Sequence, residues 1–210
     1  MTHLSFLIAR ALRQEAPLAA LSLPLDQALA RFTGTVALVG NARSLSGASF
    51  GAEIDAATQV IRINRAPMPA AQSHGTRTDA LALATRIDAE ALARLNPALI
   101  LWMSHKRKRL PWVVANRPGF VLPPLTGFNR LKTTLNAPPT TGMLMIDLLA
   151  KSPATKVTLY GFDFFASQSL TGSRTAAQVP HDFAAERHFV EALMSRDPRF
   201  HLRAAPSAAK

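Results

Sequence analysis

Two asparagines follow apolar segments of the chain, in positions where a polar side chain can bind a ligand. One apolar run starts at Val36 and ends at Asn41, and a second starts at Val60 and ends at Asn64. Short apolar runs that stop at turn residues are typical of buried parallel strands. Ligands of open parallel sheets bind at the carboxyl ends of the strands, so the two asparagines predict a crevice for a polar ligand.

A second group with chemical potential is Thr140-Thr141-Gly142, which precedes an apolar segment with the composition of a helix. The first N–H groups of a helix have no partner inside it and bind phosphate or carboxylate groups well. The threonines can equally serve as an ordinary helix cap that binds no ligand. The sequence leaves both interpretations open.

His181 follows Pro180 and stands at the start of the last long helix that the sequence predicts. Imidazole groups exchange protons near neutral pH, and a histidine that reaches into a crevice suits general-base catalysis. A surface histidine that caps the helix is the alternative. The spacing of histidines and carboxylates has no pattern of a metal site, so we expect no metal.

The composition fits one globular α/β domain with an anionic partner. The chain has 210 residues, 48% of them hydrophobic, and its 24 basic and 13 acidic residues give a net charge of +11. A basic run, formed by Lys106, Arg107, Lys108 and Arg109, could contact an acidic sugar, lipid head groups or nucleic-acid phosphates. A solvated helix start explains the run equally well. The absence of cysteine excludes disulfides, thiolate metal sites and thiol nucleophiles.

The amino-terminal segment is apolar in patches but lacks the pattern of a membrane span. Arg10, Arg13 and Glu15 interrupt it before about 18 apolar residues accumulate. The order of regions that a secretory signal needs is also missing. The spacing of Leu4 and Ile8 favours an amphipathic helix. We expect a cytoplasmic protein that could make peripheral contact with an anionic inner membrane through the basic run.

Alternating strands and helices predict an α/β fold with a Rossmann-like, mostly parallel twisted sheet and helices on both faces. We expect an amino-terminal helical segment over 1–32, a single α/β domain over 33–203 and a tail over 204–210. Within the domain we expect a proline-rich loop over 123–139 and a polar loop over 163–180. The predicted strands cover 35–40, 58–64, 80–85, 98–103, 120–122, 156–162 and 200–203.

Taken in order, these segments resemble the animal-type sialyltransferases, glycosyltransferase family 29. Residues 36–67 are similar to the family's large motif, and residues 75–78, Gly-Thr-Arg-Thr, continue it. Residues 139–144 together with 157–162 resemble the small motif. His181 and Glu186, with four residues between them, resemble the very small motif. The resemblance covers about residues 35–195.

The resemblance implies a metal-independent, inverting glycosyltransferase with a GT-A-like variant of the sheet and no cofactor. Its donor would be a CMP-activated acidic 2-keto sugar, sialic acid or Kdo, and its acceptor a hydroxyl of a glycan or glycolipid. His181 would be the general base that takes the proton from that hydroxyl. The residues implied to bind the substrates are Gly40, Asn41, Ser44, Arg62, Asn64, Thr140, Thr141, Gly142, Tyr160, Gly161, Phe162, Asp163 and Glu186.

Within that set, the resemblance implies a role for each group. Asn41 and Asn64 would bind the CMP part of the donor. Residues 140–142 would hold the phosphate or the sugar carboxylate at the helix start. Residues 160–162 would lie near the cytosine and the ribose.

The chain also departs from the family's pattern. Two family cysteines, which form a disulfide, fall here at Val36 and Ala154, where apolar side chains can pack instead. The family's His/Tyr motif, which helps the phosphate to depart, has no match because residues 163–180 contain no His and no Tyr. Arg174 is the candidate in its place. Asp163-Phe164-Phe165 is closer to bacterial sialyltransferase-like proteins than to the animal pattern.

Two other classes of function compete with this interpretation. A non-catalytic, basic nucleotide- or nucleic-acid-binding α/β module would use the basic run, and as an RNA binder it would show a steep salt dependence without binding CMP. A Rossmann enzyme with a dinucleotide is disfavoured, because residues 40–45 lack the Gly-x-Gly-x-x-Gly spacing.

Overall fold

The computed structural model describes residues 1–165, 169–170 and 178–204. Its strands are β1 (Gly34–Val39), β2 (Gln59–Ile63), β3 (Ala80–Leu83), β4 (Leu99–Trp102), β5 (Phe120–Val121), β6 (Ala154–Tyr160) and β7 (Phe200–Arg203). They form one seven-stranded sheet in the order β5-β4-β3-β2-β1-β6-β7. Every pair of neighbouring strands is parallel.

Helices connect the strands. They are α1 (His3–Ala11), α2 (Glu15–Ala19), α3 (Leu25–Leu29), α4 (Gly51–Asp55), α5 (Ala71–His74), α6 (Ala89–Leu95), α7 (Trp112–Ala115), α8 (Leu125–Leu135), α9 (Thr141–Leu149) and α10 (Phe183–Arg196). Short 3₁₀ helices cover Arg43–Gly47 and Arg107–Arg109. Within the described residues, no helix is long and apolar enough to span a bilayer.

Strands with apolar side chains on both faces need helices on both faces, because parallel sheets bury both sides. One apolar cluster joins the sheet to α8, α9 and α10, with Leu131 and Leu193 among its members. On the other face, Phe6 of α1, Leu92 of α6 and Val114 of α7 pack in a second cluster. The predicted fold class is therefore confirmed. The amino-terminal helices pack on this sheet, while the proposed domain boundaries stay a prediction.

The predicted proline-rich loop over 123–139 is wrong, because it contains the eleven-residue helix α8. Pro123 and Pro124 lie immediately before the helix, where a missing N–H costs nothing. Leu131 and Leu135, four residues apart, are buried and fix the helix on the core. Asn136 ends it in the left-handed conformation, with φ 51°. The flanking prolines thus mark the ends of the helix and not a loop.

The positions of the two family cysteines lie on neighbouring strands. Val36 in β1 and Ala154 in β6 are both buried in the same apolar cluster. Both positions are therefore occupied by buried apolar side chains on neighbouring strands.

The order of the sheet creates a crevice beside β1. From β1 the chain proceeds to β2 on one side, whereas β6 lies on the other side of β1. The connections that leave the carboxyl ends of β1 and β6 therefore diverge. Such a switch point is where open parallel sheets bind ligands.

Candidate active site

A cavity with a volume of about 470 Å³ lies at this switch point. Asn41 follows β1, Asn64 follows β2 and Gly161 follows β6, and all three line the cavity. The start of α9 and the segment before α10 close the remaining sides. The sheet therefore brings together motifs that lie more than a hundred residues apart in the chain.

Two glycines allow the loops after β1 and β6 to approach closely. A Cβ atom at Gly40 would lie 2.4 Å from the carbonyl oxygen of Gly161, which no real side chain tolerates. Gly161 itself has φ +66°, a conformation that favours glycine. Gly40 does not line the cavity, so its role is to permit this crossing of backbones.

In each of the two asparagines, one atom of the side-chain amide is hydrogen-bonded to the backbone of another strand or loop. The Asn41 Nδ2 group donates to the Ile63 carbonyl at 3.2 Å. The Asn64 Oδ1 atom accepts a hydrogen bond from the Ala84 N–H at 2.8 Å, and Asn64 has φ 55°. Asn41 thereby links β1 to β2, and Asn64 links β2 to the end of β3. Both side chains hold the rim of the cavity in a fixed arrangement.

The start of α9 faces the cavity and is capped by Thr140. The Thr140 hydroxyl accepts a hydrogen bond from the Met143 N–H at 3.1 Å. Helix geometry leaves the N–H groups of Thr141 and Gly142 without acceptors inside the helix. Both residues line the cavity, so these N–H groups offer a place for an anionic group.

Glu186 in α10 supports this helix start. Its carboxylate accepts two hydrogen bonds from Thr140, at 2.6 Å from the backbone N–H and at 2.8 Å from the hydroxyl. The side chain is buried, and burial raises the pKa of Glu186 to about 7 against the opposing effect of these hydrogen bonds. At neutral pH the carboxyl group is therefore partly protonated.

His181 also lines the cavity, and its ring is oriented by one hydrogen bond. The Nδ1 atom lies 2.7 Å from the carbonyl oxygen of Pro138. A carbonyl oxygen can only accept, so Nδ1 carries the proton, and in the neutral ring Nε2 is the basic nitrogen. His181 lies two positions before α10 begins, whereas the sequence predicts that it stands at the start of this helix. This tautomer is the one that a general base at Nε2 requires.

Most of the residues predicted from the sequence meet at this cavity. The predicted residues that line it are Asn41, Asn64, Thr140, Thr141, Gly142, Gly161, Phe162, Asp163, His181 and Glu186. Ser44 lies behind the wall and donates a hydrogen bond to the Asp163 Oδ2 atom at 2.9 Å. His188 is exposed on α10 and does not line the cavity.

Arg62 is not brought to the cavity. It is 1% exposed, and its guanidinium donates to the carbonyl oxygens of Arg77 and His74 and to the Thr78 hydroxyl. The reason is the alternation of side chains along β2, which turns Arg62 toward the residues after α5. Its hydrogen bonds join the two parts of the large motif.

Tyr160 is likewise absent from the cavity wall. It is buried, and its ring packs against Phe50 with centroids 5.7 Å apart. Burial and the hydrogen bond to Glu53 raise the pKa of the Tyr160 phenol. Of residues 160–162, Gly161 and Phe162 line the cavity.

One wall of the cavity is aromatic, and the motifs in the sequence do not predict it. Phe165 stacks on Phe183 with ring centroids 4.3 Å apart, and Phe164 lies beside them in the lining. Phe164 and Phe165 have φ values of 51° and 68°, which bulky side chains rarely adopt. The signal in the sequence was a pair of phenylalanines directly after the end of a strand. Other apolar lining residues include Ala42, Ile63, Met143, Ile146, Phe162 and Val179.

Ionic groups are scarce at the site. Among the described residues no lysine or arginine lines the cavity, and no group of three or more metal-ligating side chains is found. Arg174, the candidate for assisting the departing phosphate, lies outside the described residues.

A family model gives the first comparison with known proteins. The model described as glycosyltransferase family 29 (sialyltransferase) matches residues 14–110. The match covers a little less than half of the chain, and over these residues the chain is similar to the sialyltransferase family. The matched residues include Asn41 and Asn64, whereas the small and very small motifs lie outside the match. No curated protein matches the chain in sequence.

Solved sialyltransferase structures share the fold. A mammalian sialyltransferase in complex with Gal-beta-1-3GalNAc-ortho-nitrophenol is 18% identical, with a TM-score of 0.60 over 85% of this chain and 78% of the other. CstII from Campylobacter jejuni in complex with cytidine-5'-monophosphate is 15% identical, with a TM-score of 0.57 over 83% and 81%. The chain therefore shares the fold of these sialyltransferases at low sequence identity.

The basic run does not line the cavity, and its four side chains differ in their exposure to solvent. Arg107 is 3% exposed and is held by Glu15, with its Nε atom 2.9 Å from the carboxylate. It also donates to the carbonyl oxygens of Ser104 and Pro123. Arg107 is therefore a buried structural residue, and the expectation that it contacts a membrane is wrong. Lys106, Lys108 and Arg109 are exposed.

Proposed function

We propose that this protein transfers an acidic 2-keto sugar from its CMP donor to a glycan hydroxyl with inversion at the anomeric carbon. The observation that carries the proposal is that His181, Thr141 and the two asparagines line the same cavity. The similarity of residues 14–110 to the sialyltransferase family model supports the reaction class. The bound CMP of CstII and the bound disaccharide of the mammalian enzyme support the two substrate classes.

The donor would be recognised by neutral groups. Because no lysine or arginine among the described residues lines the cavity, its phosphate and carboxylate would meet hydrogen-bond donors instead. The Thr141 and Gly142 N–H groups and the amides of Asn41 and Asn64 supply such donors. Fixed dipoles of this kind stabilise negative charge without having to reorganise. The net charge of +11 would attract the anionic donor over longer distances.

The chemical step would be a single displacement. His181 Nε2 would take the proton of the acceptor hydroxyl as its oxygen bonds to the anomeric carbon. The bond from that carbon to the phosphate oxygen would break, and CMP would leave with both bonding electrons. The anomeric carbon would pass through an oxocarbenium-like state, as in glycoside hydrolysis. In the neutral ring, the Nδ1 bond to Pro138 would fix the tautomer in which Nε2 carries the free lone pair.

Sialic acid and Kdo fit this chemistry equally, since both are CMP-activated 2-keto acids with the same reactive centre. The pair Phe164-Phe165, which resembles the bacterial proteins, supports a bacterial cytoplasmic enzyme. We extend the proposal to a metal-independent reaction on a glycan or glycolipid acceptor, with peripheral contact to an anionic membrane.

The decisive experiment is to incubate the purified chain with CMP-sialic acid and with CMP-Kdo in separate reactions and to measure CMP release. Gal-beta-1-3GalNAc-ortho-nitrophenol is a suitable first acceptor. Faster release with one donor would identify the sugar. If neither donor releases CMP and added CMP does not raise the melting temperature, transfer is excluded. Salt-sensitive RNA binding in that case would favour the nucleic-acid-binding module.

A further inference from the structure

Four of the five exposed large apolar side chains of the described residues lie in α1 or next to its ends. Leu4, Ile8 and Leu12 are 68%, 51% and 63% exposed, and Met1 is 49% exposed. Val113 in α7 is 40% exposed. Scattered exposed apolar residues need no explanation, but their concentration at one place marks an interaction surface.

Helix α1 is apolar on two opposite sides. Phe6 and Ala9 are buried against the domain. Leu4, Ile8 and Leu12 follow one another at intervals of four residues, so they form one stripe about 12 Å long on the other side. The outward side of a surface helix is normally polar. The stripe is therefore not explained by the packing of α1 on its own domain.

The helix is held firmly in this orientation. Arg10 donates to the Leu110 carbonyl at 3.1 Å. The Trp112 ring lies 5.0 Å from the Phe6 ring and 5.1 Å from the His3 ring, measured between centroids. The buried side of α1 is thus occupied by α7 and by the segment before it. The outward stripe is a fixed feature of the fold.

The segment that contacts α1 carries exposed cations. Lys106, Lys108 and Arg109 are exposed in and next to the 3₁₀ helix that contacts α1. Within the described part of the chain, none of these three side chains forms an ion pair. Arg107, between them, is buried against Glu15. Its neighbours are thereby presented outward while the segment is tied to α2.

We propose that α1 and these three cations form a docking face for an anionic lipid bilayer. The stripe would enter the boundary between head groups and acyl chains, and the cations would contact lipid phosphates. Amphipathic helices bind membranes by this combination of apolar area and positive charge. A stable protein interface usually buries more than about 1,000 Å², which a row of four or five side chains does not provide. The inference deepens the peripheral contact proposed above and does not depend on the transfer chemistry.

Flotation of the full chain with lipid vesicles tests this face. Vesicles of phosphatidylcholine with phosphatidylglycerol should bind the protein, and vesicles of phosphatidylcholine alone should bind it more weakly. The triple variant Leu4→Gln, Ile8→Gln, Leu12→Gln should lose at least about tenfold in its partition coefficient. These positions are exposed, so the melting temperature and its increase with CMP should stay unchanged.

A matched pair of charge variants distinguishes the effect of the cations' location on vesicle binding from the effect of net charge. Replacing Lys106, Lys108 and Arg109 by Gln should weaken binding to the anionic vesicles about tenfold or more, since each cation near such a surface contributes substantially. Replacing Arg31, Lys156 and Arg196 by Gln lowers the net charge equally at exposed positions outside α1, α7 and the basic run. That control variant should bind nearly as well as the unmodified chain.

Three results would overturn the proposal. The unmodified chain could fail to float with anionic vesicles, or the stripe variant could bind them as well as the unmodified chain. Sedimentation could instead show a dimer that the stripe variant dissociates, which would assign the stripe to a second copy of the chain. Because CMP binding is measured separately, each result is distinguishable from a failure of the proposed reaction.

Discussion

Glu186 holds Thr140 by two hydrogen bonds, at 2.6 Å from the backbone N–H and 2.8 Å from the hydroxyl. Five residues before Glu186, His181 bonds through Nδ1 to the carbonyl of Pro138 at 2.7 Å. The segment before α9 and the start of α10 are therefore clamped together twice. The clamp fixes the imidazole relative to the N–H groups at the start of α9, where the proposed reaction needs a base and an anion site side by side.

Glu186 should make stability depend on pH. Burial raises the pKa of Glu186 to about 7, above the ordinary value of 4.5. Between these values the folded protein keeps a proton that the unfolded chain releases, so this contribution is lost as pH rises through 7. Glu186→Gln does not titrate. Its unfolding free energy, relative to that of the unmodified chain, should therefore increase by on the order of 2 kcal/mol from pH 5 to 8.

Urea unfolding at several pH values measures this difference. Glu191→Gln, at an exposed position on the same helix, serves as the control and should follow the unmodified chain. Parallel stability curves for the Glu186 variant and the unmodified chain would show that Glu186 does not bind a proton in this range.

His181→Ala should strongly slow transfer without weakening donor binding. Loss of a general base typically lowers the rate by about 10²- to 10⁴-fold. Because the proposed base acts on the acceptor hydroxyl, the increase in melting temperature with CMP should persist. His188→Ala changes an exposed histidine of α10 and should leave both measurements unaltered. An intact transfer rate in the His181 variant would remove this residue from the base role.

Asn64 should contribute to CMP affinity. Asn64→Ala and Asn64→Gly both delete the side chain that accepts from the Ala84 N–H, and both should weaken CMP binding about tenfold. Asn64 has φ 55°, so the alanine variant should be less stable than the glycine variant by about 1 kcal/mol. Titration calorimetry and thermal unfolding measure the two effects.

Asn136 provides a control for the backbone strain that positive φ imposes on an alanine at position 64. It also has positive φ, 51°, but ends α8 and does not line the cavity. Asn136→Ala should lower stability and leave the CMP dissociation constant unchanged. An unchanged dissociation constant in both Asn64 variants would exclude Asn64 from the donor site.

Gly142→Ala should obstruct the cavity. A Cβ atom there would lie 2.6 Å from Cε1 of Phe162, so the ring would have to shift within the cavity wall. We expect CMP affinity to fall by about tenfold or more. Gly127→Ala in α8 meets no atom within 4 Å and should stabilise the protein by about 0.5–1 kcal/mol with unchanged affinity. Equal CMP affinity in the two variants would show that Phe162 does not border the nucleotide.

Transfer should be insensitive to a chelator. Within the described residues no cluster of histidines and carboxylates could hold a metal ion. We expect the rate of CMP release from the preferred donor to be the same with and without EDTA. A loss of activity that added magnesium or manganese restores would demonstrate a metal requirement.

The parallel fold and much of the candidate site could be predicted from local sequence. Asn41 and Asn64 end apolar runs, and such runs become buried strands of a parallel sheet whose carboxyl ends share one edge. Thr140 was recognisable as a cap from its hydroxyl and the apolar helix after it. These features depend on neighbours within a few residues, so the sequence alone expresses them.

The tertiary structure decided which side chains face the cavity and which face the core. Arg62 belongs to the same motif as Asn64, but the pleat of β2 directs it into the interior, where its hydrogen bonds lie. In the sequence, nothing distinguishes Arg107 from its neighbours in the basic run. In the structure it is buried and hydrogen-bonded to Glu15, which is 92 residues away. The raised pKa of Glu186 and the orientation of His181 likewise come from partners distant in the chain. Burial and partnership depend on packing between distant segments, and local residue patterns do not encode them.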